Sequence, residues 1–426
     1  MKHPISIGLL GLALGASITA TAYNPKNLEF TRGEHKESGV IFKDGDFSIS
    51  YTGTQVEKDV DDSHLYYIKI PNQDVIEKIS GIVKPHYADE TQMVIETEDP
   101  ILVNWISNIL HQSKEVFCGG LQWVPPGLQV LKADQFPREF HADKLTLDQK
   151  VKSMVERVDS SLQKDIVLAL EDFGTRHANT SLGEQSADWI FDQFKSIAGN
   201  RKDIEFEQVG NRRSGQKSVI TRIVGQKNPE KIVILGAHID STAFWNRNNA
   251  PGADDNATGT AAIMEAFRIL IESGQKFEHT IEFHGYAAEE LGLIGSSELA
   301  SQYRKEGRQV ISMMQLDMNG FVVRNNEPRV TLVSNNTNAD LTDSLAKLTD
   351  LYLDIPYAIQ TLSGGSSDHA AWNRQGYPAS FPTEDTKNYN SKIHTGNDTS
   401  NILDFEMSAE FTKLAVAYLG HLGVII

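Results

Sequence analysis

The stretch that decides the fold lies at residues 231–240, which read KIVILGAHID, and a strand is predicted over 231–237. Its unbroken apolar run is typical of a strand that is covered on both faces of a sheet. Further strands are predicted at 279–287, 310–316, 329–334 and 377–383, with helical segments between them. This alternation predicts an α/β fold with a mixed, largely parallel central sheet and helices on both faces.

Acidic and histidine side chains stand where several of these strands end, which is where such sheets bind ligands. His238 and Asp240 close the first strand, and residues two apart in an extended chain face the same way. Each signal is weak alone, because a single acid or histidine is more often a turn, surface or core residue. The other candidates, at strand ends and in loops, are Asp255, Glu289, Glu290, Asp317 and His394.

Together these side chains predict a site for two zinc ions. Two histidines and three carboxylates, one of them bridging, are the ligands that such a pair takes. Three carboxylates leave one positive charge on two Zn²⁺, which favours a bound hydroxide as nucleophile. Adjacent glutamates at a strand end point to opposite sides, so Glu289 is left free as general base and acid. Asp240 can orient the ring of His238.

The composition removes other classes of function. Forty Lys and Arg against 57 Asp and Glu give a net charge of −17, which repels a phosphate backbone, so no nucleic-acid partner is expected. The single cysteine, Cys118, permits neither an intrachain disulfide nor a cysteine zinc site, and it lacks a placed histidine partner. Any metal must therefore be held by His, Asp and Glu.

The two ends of the chain predict export and two domains. Lys2, a short apolar stretch at 4–18 and Ala20-Thr21-Ala22 predict a signal peptide over 1–22, so the protein is expected to be secreted or periplasmic, without a membrane span. Short strands and helices predict a small α+β domain over 23–145. The α/β domain follows over 146–426, and in it Ser181 with Glu184 fits a capping box.

From about residue 150 to 425 the chain resembles the M28 family of zinc aminopeptidases, in particular the secreted bacterial leucyl enzymes. The motifs that carry the resemblance are GAHIDST, APGADDNATG, YAAEELGLIGS, MQLDM, SSDHAAW and NYNSKIHTGND. The residues over 23–145 occupy the place of the family's propeptide. The resemblance implies a monomeric enzyme that acts on peptides with free N-termini, and an activating protease as a partner.

The resemblance also implies a role for each site residue. His238 and Asp317 are ligands of one zinc ion, Glu290 and His394 are ligands of the other, Asp255 bridges the two ions, Glu289 is the general base, and Asp240 orients His238. The chain departs from the leucyl enzymes in the substrate pocket, since the loop 362–367 lacks their cysteines and tyrosine and the stretch 383–387 lacks their phenylalanines. A more polar or wider pocket is expected, with room for Lys or Arg substrates. Its predicted residues are Met318, Val333, Thr383 and Asp385.

Several alternatives stay open on the sequence alone. The same fold and site could belong to a glutaminyl cyclase, to another exopeptidase or to a non-enzymatic binding module. The run Ser366-Ser367-Asp368-His369 suggests a serine hydrolase, although no G-x-S-x-G elbow is present. The N-terminal domain is either a propeptide that covers the site until proteolysis or a permanent accessory domain.

Overall fold

The computed structural model describes residues 28–32, 40–44, 47–51, 64–70, 72–112, 120–124, 140–324, 326–362 and 365–426. The predicted signal peptide and Cys118 lie outside the described residues. Among the residues that are described, no helix combines the length and the apolar character needed to cross a bilayer.

The N-terminal part contains two small antiparallel sheets and two helices in its described ranges. Its elements are β1 (Leu28–Arg32), β2 (Val40–Asp44), β3 (Phe47–Tyr51), β4 (Leu65–Lys69), α1 (Gln73–Ser80), β5 (Tyr87–Ala88), β6 (Gln92–Glu96), α2 (Pro100–Gln112) and β7 (Leu121–Trp123). The strand orders are β1-β3-β2 and β5-β6-β4-β7. The predicted small α+β unit is therefore confirmed as a fold.

From residue 140 onward strands and helices alternate along the chain. The helices are α3 (Gln149–Val155), α4 (Ser160–Glu171), α5 (Ser181–Ala198), α6 (Gly259–Ser273), α7 (Ile294–Lys305), α8 (Ala339–Tyr352), α9 (His369–Arg374) and α10 (Phe405–Leu422). The strands are β8 (Ile204–Val209), β9 (Ser218–Ile223), β10 (Asn228–His238), β11 (His279–Tyr286), β12 (Gln309–Gln315), β13 (Val330–Val333), β14 (Tyr357–Gln360), β15 (Ala379–Ser380) and β16 (Pro382–Thr383).

The main sheet of the described chain has six strands in the order β15-β12-β10-β11-β9-β8. β10 runs parallel to both of its neighbours, and β12 runs parallel to β15. β11, β9 and β8 are paired antiparallel. The sheet is therefore mixed and largely parallel, as predicted, and the strand that carries His238 lies inside it.

Both faces of this sheet are covered because the side chains of β10 alternate between two apolar cores. Val233 and Leu235 pack in the large core with residues of α5, α6 and α10. Ile232 and Ile234 point to the other face and pack with residues of α7 and α9. A strand buried on both sides can be apolar throughout, which accounts for the unbroken run in the sequence.

Two local expectations need correction. The strand predicted at 377–383 is divided: β15 joins the main sheet, and β16 joins a small sheet of order β14-β13-β16. Pro382 has no N–H group to donate to the main sheet, so the strand stops before it. The predicted capping box of Ser181 and Glu184 is wrong by one residue, since Thr180 has the extended backbone of a cap and its hydroxyl accepts the N–H of Gly183.

Candidate metal centre

The carboxyl ends of three neighbouring strands gather the predicted site residues. His238 is the last residue of β10, Glu289 and Glu290 follow β11, and Asp317 follows β12. Because β10 lies between the other two strands and runs parallel to both, all three ends open at one edge of the sheet. This is the edge at which α/β sheets bind ligands.

Two loops bring Asp255 and His394 to the same edge. The Asp255 oxygens lie 3.0 Å from Nε2 of His238 and 2.9 Å from Nε2 of His394. Nε2 of His238 also lies 3.4 Å from Oδ1 of Asp317, and Nε2 of His394 lies 3.0 Å from Oε2 of Glu290. The five residues, which we call the donor cluster, form two groups of three that share Asp255. Within each group the potential ligand atoms lie within 4.8 Å of one another.

The donor cluster is buried, yet many of its polar atoms make no hydrogen bond. Each of its residues is at most 7% exposed. Within the described ranges, Nε2 of His238, both oxygens of Asp255, Oε1 of Glu290 and Oδ1 of Asp317 have no hydrogen-bond partner. Buried polar atoms in this state are costly. A bound cation would satisfy them, and imidazole with carboxylate is a set that zinc takes.

Asp240 connects the end of β10 to the turn that carries both glutamates. Its Oδ1 lies 3.4 Å from Nδ1 of His238, on the side of the ring opposite to Asp255. Its two carboxylate oxygens accept the backbone N–H groups of Glu289 at 3.0 Å and of Glu290 at 3.2 Å. One buried carboxylate therefore holds a histidine and a pair of glutamates in a fixed relation.

Three residues at this edge have left-handed backbone conformations that non-glycine residues rarely adopt. They are Ala288, with φ of 55°, Met318, with φ of 57°, and His394, with φ of 56°. Each stands beside or within the donor cluster. Such conformations persist only where the surrounding structure enforces them, and they concentrate at functional sites.

Charges inside the donor cluster are strongly coupled. Burial alone would raise the pKa of Asp255, but His238 and His394 hold it well below its usual range. Burial would lower the pKa of His394, yet Glu290 and Asp255 raise it to about 10. Burial raises the pKa of Glu290 to about 7 and that of Glu289 well above its ordinary value. A cation that binds here would therefore displace protons from the cluster.

Two further residues contact the donor cluster although the sequence did not predict them as part of the metal site. The Ser367 hydroxyl donates to Oδ2 of Asp317 at 2.6 Å. The Asp398 carboxylate accepts the backbone N–H groups of Asp254 at 3.2 Å and of Asp255 at 3.0 Å. Ser367 lies in the motif SSDHAAW and Asp398 lies in the motif NYNSKIHTGND. Their position within a motif was therefore the sequence signal that could have identified them.

The geometry does not favour the serine-hydrolase alternative. The hydroxyl of Ser367 is directed to Asp317, whereas Nε2 of His369 lies 3.2 Å from the carbonyl oxygen of Asn335. Burial lowers the pKa of His369 to about 3, so its ring is neutral near pH 7. The serine and the histidine therefore have different partners and do not pair as nucleophile and base.

The predicted pocket residues fall into different surroundings. Met318 and Val333 belong to a buried apolar cluster. This cluster lies between the segment that ends at Asp317 and the segment that begins at His394. The other buried members of this cluster are Leu362, Phe381 and Ile393. Met318 follows a donor residue and Ile393 precedes one, so the apolar cluster adjoins the donor cluster.

Thr383 and Asp385 instead use their polar side-chain groups in hydrogen bonds within the fold. The buried Thr383 hydroxyl donates to the carbonyl oxygen of Asp317 at 2.8 Å. The half-buried Asp385 carboxylate accepts the N–H of Lys387 at 3.1 Å and the Nδ2 hydrogen of Asn388 at 3.0 Å, within its own turn. Both side chains therefore already have partners in the fold.

Comparison with known sequences now identifies the family. The sequence pattern of peptidase family M28 matches residues 218–419, a range that contains the whole donor cluster. Leucine aminopeptidase 1 of Sclerotinia sclerotiorum is 34% identical over 315 residues, which are 70% of this chain and 80% of the relative. The chain therefore belongs to peptidase family M28.

Solved structures agree with this assignment. The LapA aminopeptidase from Legionella pneumophila superposes with a TM-score of 0.73 at 25% identity, over 85% of this chain and 98% of that one. BSAP, a zinc aminopeptidase from Bacillus subtilis, has the same fold over 62% of this chain and 95% of its own, with a TM-score of 0.53 at 15% identity. The predicted fold class, the resemblance and the expectation of a hydrolytic exopeptidase are confirmed.

Proposed function

We propose that this protein is an exported aminopeptidase that removes the N-terminal residue of peptides at a centre of two zinc ions, with Glu289 as general base. The observation that carries the proposal is the donor cluster, in which two buried groups of ligand atoms share Asp255. Membership of a peptidase family makes a peptide bond the substrate, and the matched relatives are named aminopeptidases.

The donor residues divide between the two ions by proximity. His238 and Asp317 would hold one zinc ion, Glu290 and His394 would hold the other, and Asp255 would bridge them. The chemistry supplied by bound zinc is polarisation of the scissile carbonyl and a lowered pKa for a coordinated water. Asp240 keeps the ring of His238 turned so that Nε2 faces the ligand side.

The role proposed for Glu289 is to move a proton rather than to bind metal. It is 1% exposed, and its backbone N–H is fixed by Asp240. Burial raises its pKa, which brings the carboxyl closer to the range in which a general base and acid works near neutral pH. Its carboxylate takes the proton from the attacking water and later gives one to the leaving amine.

The substrate pocket is proposed to accept an apolar N-terminal side chain. The apolar cluster of Met318, Val333 and their neighbours adjoins the donor cluster and offers no charge. Asp385, which the sequence offered as a partner for Lys or Arg substrates, already accepts two hydrogen bonds inside its own turn. An apolar preference is therefore favoured over a basic one.

Export, the monomeric state and processing belong to the same proposal. The apolar start of the sequence and its Ala20-Thr21-Ala22 pattern support removal of residues 1–22 on the way to the periplasm or the medium. An activating protease is required only if the N-terminal domain is an inhibitory propeptide, as in a zymogen. The contacts of that domain with the turn that carries both glutamates favour the permanent alternative.

Two measurements test the proposed function. Metal analysis of the purified protein should give two zinc ions per chain, and a chelator should abolish hydrolysis. The enzyme should cleave a leucyl peptide with a free N-terminus and fail on its N-acetylated form. One zinc ion per chain would instead support a cyclase, and equal cleavage of both peptides would exclude an aminopeptidase.

A further inference from the structure

The turn that carries the two glutamates is packed into the N-terminal domain. Three apolar residues of the segment 288–294 belong to a core whose other members come almost entirely from β4, β6, β7, α1 and α2. These three residues are Ala288, Leu291 and Ile294, at 0%, 4% and 0% exposure. The residues directly before and after the pair of glutamates are therefore held by a different domain from the one that supplies the other donors.

A backbone hydrogen bond extends the N-terminal sheet to this turn. The N–H of Trp123 in β7 donates to the carbonyl oxygen of Gly292 at 2.9 Å. A Cβ atom at Gly292 would lie 2.9 Å from that same nitrogen, and the glycine has φ of 109°. The close approach of the two backbones therefore depends on glycine at this position.

Polar contacts fix the same domain to other parts of the α/β domain. Arg374 in α9 is buried, its guanidinium lies over the ring of Phe42 and it donates to Oε1 of Gln122. Arg213 contacts the ring of Trp123 and lies 2.9 Å from Nδ1 of His64. Removal of the N-terminal domain would take away the aromatic rings and polar groups that these two guanidinium groups contact.

We propose that the N-terminal domain is a permanent part of the catalytic unit, and that Trp123 is a positioning residue which acts through the turn 288–292 on Glu289. The inference rests on the proposed role of Glu289 as general base. If the turn is displaced, the carboxyl group of Glu289 remains but lies at the wrong distance from the reacting atoms. Small misplacements of a catalytic group have large costs in rate. A removable cover would have the opposite effect, since loosening it would expose the site.

The comparison structures are consistent with two architectures in this fold. The match to LapA extends over 85% of this chain, so it includes much of the N-terminal domain, and it uses 98% of the LapA chain. The match to BSAP uses 95% of that chain but reaches only 62% of this one. The fold can therefore exist without this domain, and the turn must then be supported in another way.

Substitutions in the full-length zinc enzyme test the proposal. Trp123→Ala should lower kcat about tenfold, while KM for a leucyl peptide and zinc content stay near the wild-type values. Trp123→Phe keeps an aromatic ring in this core and should restore most of kcat. The matched control is Ile49→Ala in β3, which truncates a buried side chain in a core made only of N-terminal residues.

The outcomes are decisive in either direction. A kcat for Trp123→Ala at or above the wild-type value overturns the proposal, as does an equal loss in Ile49→Ala. If Trp123→Ala does not fold, Leu121→Ala makes a smaller truncation in the same strand and is judged by the same values. Glu289→Gln, measured in parallel, should retain zinc and lose about 10²–10⁴ in kcat. Normal turnover there would refute the role of Glu289 independently of the Trp123 result.

Discussion

Two clusters of buried acids lie side by side at the edge of the main sheet, and they differ in how far hydrogen bonds satisfy their carboxylates. The donor cluster leaves carboxylate oxygens of Asp255, Glu290 and Asp317 without hydrogen bonds among the described residues. The second cluster consists of Asp254, Glu384, Asn390 and Asp398, all at most 1% exposed, and we call it the anchor cluster. The chain neighbours Asp254 and Asp255 therefore belong to different clusters.

The carboxylates of the anchor cluster all accept hydrogen bonds from within the fold. Asp254 accepts from the N–H of Gly320 at 3.0 Å and from Nδ2 of Asn390 at 3.1 Å. Glu384 accepts from the N–H groups of Phe321 at 3.0 Å and of Asn390 at 2.7 Å. These bonds join the loop before α6, the loop after β12 and the loop that carries His394.

The contrast separates candidate metal ligands from structural acids when both are buried. In the anchor cluster, burial and neighbouring carboxyl groups raise the pKa of Asp254 and of Glu384 well above their usual values, and that of Asp398 to about 7. Its acids can therefore hold protons and still be satisfied by N–H groups. The donor cluster instead leaves carboxylate oxygens without hydrogen bonds among the described residues, and a bound cation would satisfy them.

The largest expected effect comes from Asp255→Asn, and the same exchange at its chain neighbour Asp254 serves for comparison. Asp255→Asn removes the carboxylate shared by both groups of ligands, so we expect zinc content below two per chain. The variant should also lose several kcal/mol of the charge stabilisation that bound zinc gives to the transition state. This loss corresponds to a fall in kcat/KM of about 10³-fold or more. Metal analysis and steady-state kinetics on a leucyl peptide check both values.

Asp254→Asn is the matched control for that variant. It weakens bonds to Gly320 and Asn390 and should cost about 1–3 kcal/mol of unfolding free energy, with zinc retained. Thermal unfolding of the zinc-loaded protein measures this loss. If Asp254→Asn loses zinc as readily as Asp255→Asn does, the division into two clusters fails.

A smaller effect is expected where the anchor cluster touches the donor cluster. Asp398 accepts the N–H of Asp255, so Asp398→Asn places an amide hydrogen where an acceptor is needed. Changes of this kind around metal ligands typically cost 10–100-fold in metal affinity or activity, and we expect about that loss in zinc affinity. A competitive chelator titration measures it.

The control for Asp398 is an acid with the same hydrogen-bonding task elsewhere. Asp148 caps α3 by accepting the N–H groups of Lys150 and Val151, far along the chain from the donor residues. Asp148→Asn should leave zinc affinity unchanged. An equal loss in both variants would mean that Asp398 stabilises the fold without positioning Asp255.

The sequence could indicate the donor residues at strand ends because the ends of buried strands can be recognised from their apolar runs. Apolar runs mark β10, β11 and β12, and the rule that ligands bind at the carboxyl ends of such strands names the residues that follow. The sheet order then brings His238, Glu290 and Asp317 together. The loop residues Asp255 and His394 had no such rule, and the resemblance to a known family supplied their roles.

The anchor cluster could not be predicted in the same way. Asp254, Glu384 and Asp398 are acids in polar loops, and the sequence pattern of a satisfied buried acid is the same as that of an exposed one. Their burial depends on how three loops pack, which is a tertiary property. The packing of the turn 288–292 into the N-terminal domain was also invisible, since Leu291 and Ile294 read simply as apolar residues near a helix start.

The smallest expected effect concerns Asp385, an acid outside both clusters. Burial would raise the pKa of Asp385, but bonds from Asn388 and Lys387 lower it, so the carboxylate is charged near neutral pH and also faces the positive charge of Arg329. A carboxylate with these partners gains little from a substrate cation. Asp385→Asn should therefore change the ratio of kcat/KM for leucyl and lysyl anilides by no more than about twofold, the effect of about 0.5 kcal/mol typical of surface substitutions. A selective loss of lysyl hydrolysis would contradict this and would assign Asp385 to the recognition of basic substrates.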